Sequence, residues 1–333
     1  MSRFSSAPDP RLDAVLNAGD DIVQSFEVKP LGVRGRVVRF GAAVDGILRQ
    51  HDYPEPVSAL LAQAVGLGAL LGSALKFDGK FILQTKSDGP VSMLVADYAT
   101  PGQVRGYAQF DAAAVAGLMA GERPVPAAKL LGRGHLAMTV DQGSDMERYQ
   151  GIVALDGNGL EGAAHEYFER SEQIPTRLRL TAGPLVGRGV DGAESWRAGA
   201  IMAQHLPRQG GASPLAVSSG DAPEGHRETV IEDDRWVKAR LLLETVEDHE
   251  LLDPTLAPAQ LLYRLYHEDG VTVYPPHHVA RHCTCSRQRA ERIVAHYGVD
   301  ELNEMLEDGR IVVTCQFCSA RYEFDPDELR RVG

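Results

Sequence analysis

Cys283-Thr284-Cys285 and Cys315-Gln316-Phe317-Cys318 contain all four cysteines of this 333-residue chain. The pattern is C-x-C, then residues 286–314, then C-x-x-C. Two close pairs flanking a short insert suit a tetrahedral metal, because each tight turn supplies two ligands. Four thiolates with no other donor select soft or borderline ions, zinc first among them. C-x-x-C is the usual half of such a site. C-x-C leaves less slack around an ion and places two sulfurs where they can meet once the ion leaves. Structural disulfides are another use of four cysteines, but a chain with no thiol elsewhere does not look like a secreted, cross-linked protein. A purely structural zinc ribbon would also account for the spacing. A C-x-x-C oxidoreductase site opens a helix in an N-terminal βαβ setting, whereas this pair follows the strand-like run Ile311-Val312-Val313.

Outside the cysteines, the length allows a large core and two or more domains. The formal net charge of -12 and pI of about 5.4 argue against a nucleic-acid binder, including a zinc-ribbon module of that kind. Met1 to Pro10 lacks a basic start followed by an apolar run, so no secretory signal is expected, and clustered thiols suit a reducing cytoplasm. Val57 to Leu75 is almost wholly apolar and contains Gly68-x-x-x-Gly72. Its polar Ser58, Gln63 and Ser73, in a chain rich in charge, predict a central buried helix rather than a membrane span.

In chain order, residues 1–10 read as a frayed end. Asp21–Lys29 and Arg34–Phe40 alternate as strands about the turn Pro30-Leu31-Gly32. Ala42–Gln50 and the Val57 run read as helices. Strand character returns at Phe81–Thr85, Val91–Asp97, Val104–Phe110, His135–Val140 and Tyr149–Leu155. A helix capped by Asp111 and another over Leu160–Glu172 fall between or after them. Arg177–Thr181 and Ala198–His205 are predicted to close the sheet. The fold class is α+β, with an N-terminal core built on a mixed or antiparallel sheet. The expected division is 1–206 for this core, 207–270 for a flexible connector and helical linker, and 271–333 for a small C-terminal metal unit. The connector is Pro207–His226, rich in Gly, Ser, Pro and Ala. Arg227–Asp253 is densely charged with an apolar stripe of Val230, Val237 and Leu241, joined less strictly by Trp236 and Leu242. Ala257–His267 reads as a second helix carrying Leu261, Leu262, Leu265 and Tyr266. Both helices suit either ordinary surface packing or a releasable pair.

Within the tail, Ser286 is expected to cap a helix with Ala290, Ile293, Val294 and Tyr297 on one face. Asp300 is expected to cap another, with Leu302, Met305 and Leu306 inside and Gly309 past its end. Tyr322 and Phe324 fall on one side of a final strand. Such a unit buries too little to stand alone, so a metal would supply much of its folding free energy. Arg281, Arg287, Arg289 and Arg292 would favour thiolates nearby, or simply balance the charge of the site. His277, His278 and His282 read as surface histidines beside a ligand set already complete. His165-Glu166 lacks the second histidine of a metalloprotease motif, and no Walker A pattern is present.

The setting Val313-Thr314-Cys315-Gln316-Phe317-Cys318, together with Cys-x-Cys upstream, resembles the heat shock protein 33 family of redox-regulated holdase chaperones. The resemblance continues through Lys86-Ser87-Asp88-Gly89-Pro90, Val104-Arg105-Gly106-Tyr107, Glu147-Arg148-Tyr149-Gln150-Gly151 and Ser171-Glu172-Gln173-Ile174-Pro175, nearly the whole chain. The Pro207–His226 connector is longer than the family usually has. The resemblance implies that Cys283, Cys285, Cys315 and Cys318 hold one zinc ion in a reduced, inactive protein. It implies oxidation to Cys283–Cys285 and Cys315–Cys318 disulfides, zinc loss, disorder of the linker and exposure of surface to unfolding client proteins. Work without ATP and dimerisation on activation are implied as well. Each such disulfide closes only a tiny loop, so the link between the two halves of the tail would vanish. The alternative function is a thiol-disulfide oxidoreductase using Cys315 and Cys318.

Overall fold

The computed structural model describes residues 18–76, 78–143, 148–185, 194–206 and 233–326, together with Val15. The expected frayed start, the Pro207–His226 connector and Val230 lie outside the described residues.

Strands β1 (Ile22–Val28) and β2 (Val33–Phe40) form an antiparallel hairpin around the single turn Lys29–Leu31. Gly32 closes it at a φ of 63°, a conformation that glycine adopts without steric cost. Helices α1 (Ala42–Leu48) and α2 (Glu55–Gly72) follow. A meander of β3 (Lys80–Ser87), β4 (Val91–Ala99) and β5 (Gln103–Phe110) leads into α3 (Ala112–Gly121). Asp111 caps α3 as expected, accepting from the amides of Ala113 and Ala114. The short α4 (Ala127–Leu131) was not evident from the sequence. Then come β6 (Arg133–Asp141), β7 (Tyr149–Asp156), α5 (Gly159–Tyr167) with a wide turn over Phe168–Glu172, β8 (Thr176–Leu185) and β9 (Ser195–His205).

Beyond the connector are α6 (Asp234–Glu244), α7 (Asp248–Leu252) and α8 (Pro258–Tyr266). The tail holds β10 (Thr272–Val273), β11 (His277–His278), β12 (Ala280–Arg281), α9 (Arg287–Val294), α10 (Val299–Glu304), β13 (Leu306–Glu307), β14 (Arg310–Thr314) and β15 (Arg321–Phe324).

The class is α+β. One sheet runs β10-β1-β2-β9-β8, with β11 also on β1; a second runs β12-β5-β4-β3-β6-β7; β13-β14-β15 form a third. All pairings are antiparallel except β12 with β5. Helix α2 packs against strands of both large sheets. It is the one described helix long and apolar enough to cross a membrane, and 78% of that window is buried inside the fold. Close approach explains one of its glycines: a Cβ on Gly72 would stand 2.6 Å from the Tyr98 ring.

The first sheet is apolar on both faces, which is why Ala198–Ala203 of β9 reads as a continuous apolar run while β2 alternates with arginines. Val23, Val38, Phe40, Ala198, Ala200 and Met202 join α2 in the main core. Phe26, Val28, Val33, Val37, Ile201 and Ala203 face the other way. They are covered by Trp236, Ala239 and Leu243 of α6, Leu251 of α7, and Leu261, Leu262, Leu265 and Tyr266 of α8. Each large apolar side chain buried here contributes about 1.5–3 kcal/mol as an upper bound. The second helix therefore buries the residues expected of it. The stripe on α6 is corrected: Val237 and Leu242 are only partly buried, and Leu241 is 51% exposed. Trp236 claims the sheet instead, stacked on His205 with ring centroids 6.0 Å apart. A capping box between Glu247 and Glu250 starts α7 and divides the expected single helix in two.

Polar groups secure the same cover. Arg39 and Arg197 share Asp20, at 3.0 and 2.5 Å. Arg39 also donates to the carbonyl of Leu256, and Arg197 donates to that of Leu252 at 2.5 Å. Burial opposes ionisation of Asp20, but the hydrogen bonds and charges of Arg197 and Arg39 hold its carboxyl below the usual range.

On the far side, α5 shields the β8 edge. His165 Nε2 accepts from the Leu178 amide at 3.0 Å, and Glu161 accepts from Leu180 at 3.3 Å. Burial, then nearby Arg177, lowers the His165 pKa to about 4. The unfolded chain takes up this proton near pH 6.5 and the folded chain only near 4, so stability is fully present above 6.5 and falls as pH drops toward 4. Allowing for the solvent that still reaches the ring, the loss is at most about 2 kcal/mol. His165→Gln keeps an acceptor and removes the proton uptake. Urea midpoints measured at pH 7 and pH 4.5 should differ less in this variant than in the parent.

Candidate metal centre

The tail unit has a core of only Ala290, Val294, Leu302, Ile311 and Phe324, with Met305, Val313 and Tyr322 against it. Ser286 caps α9 by accepting from the Arg289 amide at 3.2 Å. Ile293 and Tyr297, expected inside, are 53% and 41% exposed, because this small unit offers nothing for that side of α9 to pack on. Helix α10 begins at Val299, so Asp300 lies in its first turn rather than at its cap. Leu306 belongs to β13 and is 39% exposed.

Strand β14 delivers Cys315 into a tight loop. The Cys315 amide donates to Ala320 O at 2.9 Å, the Ser319 amide to Cys315 O at 2.8 Å, and Ser319 turns left-handed at a φ of 53°. Cys283-Thr284-Cys285 lies between β12 and the cap of α9. Arg289 fixes this turn by donating to Thr284 O at 3.2 Å and Thr284 Oγ1 at 2.9 Å.

All four sulfurs lie within 4.8 Å of one another and form the one metal-suited group of His, Cys, Asp and Glu among the described residues. Sulfurs meet across the two halves, Cys283 to Cys315 at 3.7 Å and Cys285 to Cys318 at 3.3 Å. Four sulfurs each about 2.3 Å from one ion would stand about 3.8 Å apart, so the donor set fits a single tetrahedral ion. Burial raises the Cys283 and Cys318 pKa values, Cys318 the more strongly because neighbouring thiols add to it. At Cys285 burial is outweighed by hydrogen bonds from Tyr322, at 3.2 Å, and from the other thiols, which bring its pKa to about 7. Thiolate character is therefore unequal around the cluster.

The loop also docks on the core. The Arg105 guanidinium lies 3.8 Å from the centroid of the Phe317 ring, and Tyr107 meets that ring edge-on at 4.7 Å. Asp97 anchors Arg105 from below at 2.6 Å. Ser319 donates to Gln50 O at 2.6 Å and meets His51 Nδ1 at 3.2 Å. Beside the thiols, Ile47, Gln50, Arg105, Arg281 and Phe317 help to line a cavity of about 320 Å³.

Residues 21–325 match the family described as Hsp33 protein. This chain belongs to the Hsp33 family. It is 43% identical to the 33 kDa chaperonin of Caulobacter vibrioides strain NA1000 / CB15N over 92% of this chain and 95% of that one. Identity to the 33 kDa chaperonin of Proteus mirabilis is 34%, over 94% and 96% of the two chains. The fold matches the crystal structure of the Thermotoga maritima 33 kDa chaperonin with a TM-score of 0.73 at 21% identity, covering 94% of this chain and 97% of that one. The protein is a chaperone.

Of the four arginines expected at the Hsp33 cysteines, Arg281 and Arg289 lie beside the thiol turns. Arg287 instead covers the Phe324 ring at 4.7 Å, and Arg292 donates back to Gln288 O on its own helix. His277 and His278 pair with β1, and His282 lines the cavity. The sequence reading missed the roles of His51, Arg105 and Tyr107. The run Val104-Arg105-Gly106-Tyr107 held a signal, a cation and an aromatic two apart on one strand face.

Phe317→Ala should leave the capacity of the thiols for a metal intact while loosening the loop from the core by about 1–3 kcal/mol, the sum of a cation–π and an aromatic contact. Metal content should remain that of the parent. Amide exchange across residues 317–319 should quicken by about fivefold or more.

Proposed function

We propose that this chaperone is an ATP-independent holdase switched by oxidation of Cys283, Cys285, Cys315 and Cys318. The observation that carries the reading is the convergence of all four thiols at the point where the tail meets the core. In the reduced state the four thiolates would hold one zinc ion, whose contribution is a cross-link between the C-x-C and C-x-x-C turns. The three proposed regions are 1–206 as core, 207–270 as connector and linker, and 271–333 as switch. Strands β10 to β12 then serve as the switch region's attachment to the core.

Oxidation is proposed to pair Cys283 with Cys285 and Cys315 with Cys318. For each pair, two thiolates give up two electrons to one peroxide. The S–S bond forms, the O–O bond breaks, and the oxygens leave as two waters after taking up protons. Neither disulfide spans the two halves, so the tail unit loses the link that its five-residue core cannot replace. Once the tail is loose, α6 to α8 are held on the sheet by their own packing and the arginine contacts alone. With mild warming they leave, and the apolar face from Phe26 to Ala203 meets unfolding clients. The acidic balance of the chain keeps the opened form soluble. The proposed setting is cytoplasmic, with a homodimer as the active form and no part for nucleic acid or membrane.

Zinc release and suppression of client aggregation, followed together during peroxide exposure with warming, test this reading. The expected result is one zinc per reduced chain, no suppression before oxidation, and suppression that rises in step with zinc loss. Full suppression by the reduced, zinc-loaded protein would end the proposal. So would turnover of a disulfide substrate without zinc loss, which marks an oxidoreductase.

A further inference from the structure

One short segment closes an edge of each large sheet. Thr272 and Val273 pair with Glu27 and Phe26, and His277 and His278 pair with Val23 and Ile22. Between them the Tyr274 amide donates to Ser25 O at 2.9 Å, and beyond them the Val279 amide donates to Asp21 O at 2.8 Å. The segment then crosses to the second sheet, where Ala280 and Arg281 run parallel to Gln103 and Val104. There the amides of Ala280 and His282 donate to Gly102 O at 2.8 Å and Val104 O at 2.9 Å. Gly102 permits the approach, since a Cβ on it would stand 2.3 Å from His278 O.

This strap is attached mainly through its backbone. Val279, 3% exposed, is its one fully buried side chain, and Val273 packs partly against the linker-side core. Its N-terminal end follows α8 of the linker, and its C-terminal end runs directly into Cys283. Pro275-Pro276 interrupts the pairing in the middle. Both anchors of the strap are therefore the parts that the proposed switch releases.

We propose that the vacated edges of β1 and β5 bind an extended segment of an unfolding protein by strand addition. The inference rests on the oxidative switch argued above and names the form in which a client is held. The strap shows that an extended chain fits both edges, and hydrogen bonds to the main chain accept many sequences. The β1 edge borders the apolar face carrying Phe26, Val28, Val33 and Val37, so a strand added there places alternate side chains beside that face.

The test uses the full-length oxidised protein, an aggregating client, and a synthetic peptide of residues 271–282. A second peptide is N-methylated at the positions of Tyr274, Val279, Ala280 and His282, which removes the four donated amides. The unmodified peptide, in excess, should cut protection of the client at least fivefold, and the methylated one should leave it unchanged. Hydrogen exchange over Ile22–Val28 and Gln103–Phe110 should rise on oxidation and fall again when client is added. Equal competition by both peptides overturns strand addition, as does client protection with no change in exchange over these strands. Recovery of exchange protection without client, in step with a doubling of mass, assigns the edges to a second copy and also overturns it. An oxidised protein that fails to protect client at all sinks the switch itself.

Discussion

A sheet with two apolar faces cannot remain in water with only one of them covered. Helix α2 covers one face of the first sheet and cannot reach the other. The second cover comes from α6, α7 and α8, which follow the sheet in the chain and lead into the cysteine-bearing tail. Hydrophobic burial makes this arrangement favourable, but chain order makes it conditional, because the cover is tethered to a unit whose own core is five residues. The proposed holdase, concealing a sticky surface and later presenting it, would use such an unequal pair of covers.

Polar contacts give this cover a definite seat. Arg39 and Arg197 come from neighbouring strands and reach carbonyls at the end of α7 and just before α8. Asp20 offsets only one of the two charges, so each guanidinium depends on the helices for its remaining hydrogen bonds. Buried charges without partners are costly, so partial lifting of the helices is penalised while full departure lets water solvate the arginines. The docking of the cysteine loop has the same character. Phe317 fits against a cation and an aromatic edge, and Ser319 fits against Gln50 and His51.

Much of the core was legible because its strands alternate or run apolar over their whole length, and α2 is too long and too greasy to be anything but central. The thiol site was legible because cysteine is scarce here and grouped. Helix α6 was harder. Its apolar residues fit two faces one position apart, and the large surface of Trp236 decided in favour of the one that Val237 and Leu241 do not share. The α9 face was overread for the opposite reason: Ile293 and Tyr297 have helical spacing but no partner in so small a unit. Strands β10 to β12 left no local signal, since two-residue strands containing histidine beside a Pro-Pro step exist only through their partners. The contact of Arg105 and Tyr107 with Phe317 spans so much of the chain that neither end announces the other.

The chain's two tryptophans stand on opposite sides of the proposed opening. Trp196 of β9 packs partly buried against the main core, while Trp236 of α6 is shut against His205. In the proposed opening, lifting the linker would wet one indole and leave the other on its strand. The molecule would thus carry an internal optical gauge for that opening, with one chromophore on the cover and one on the frame.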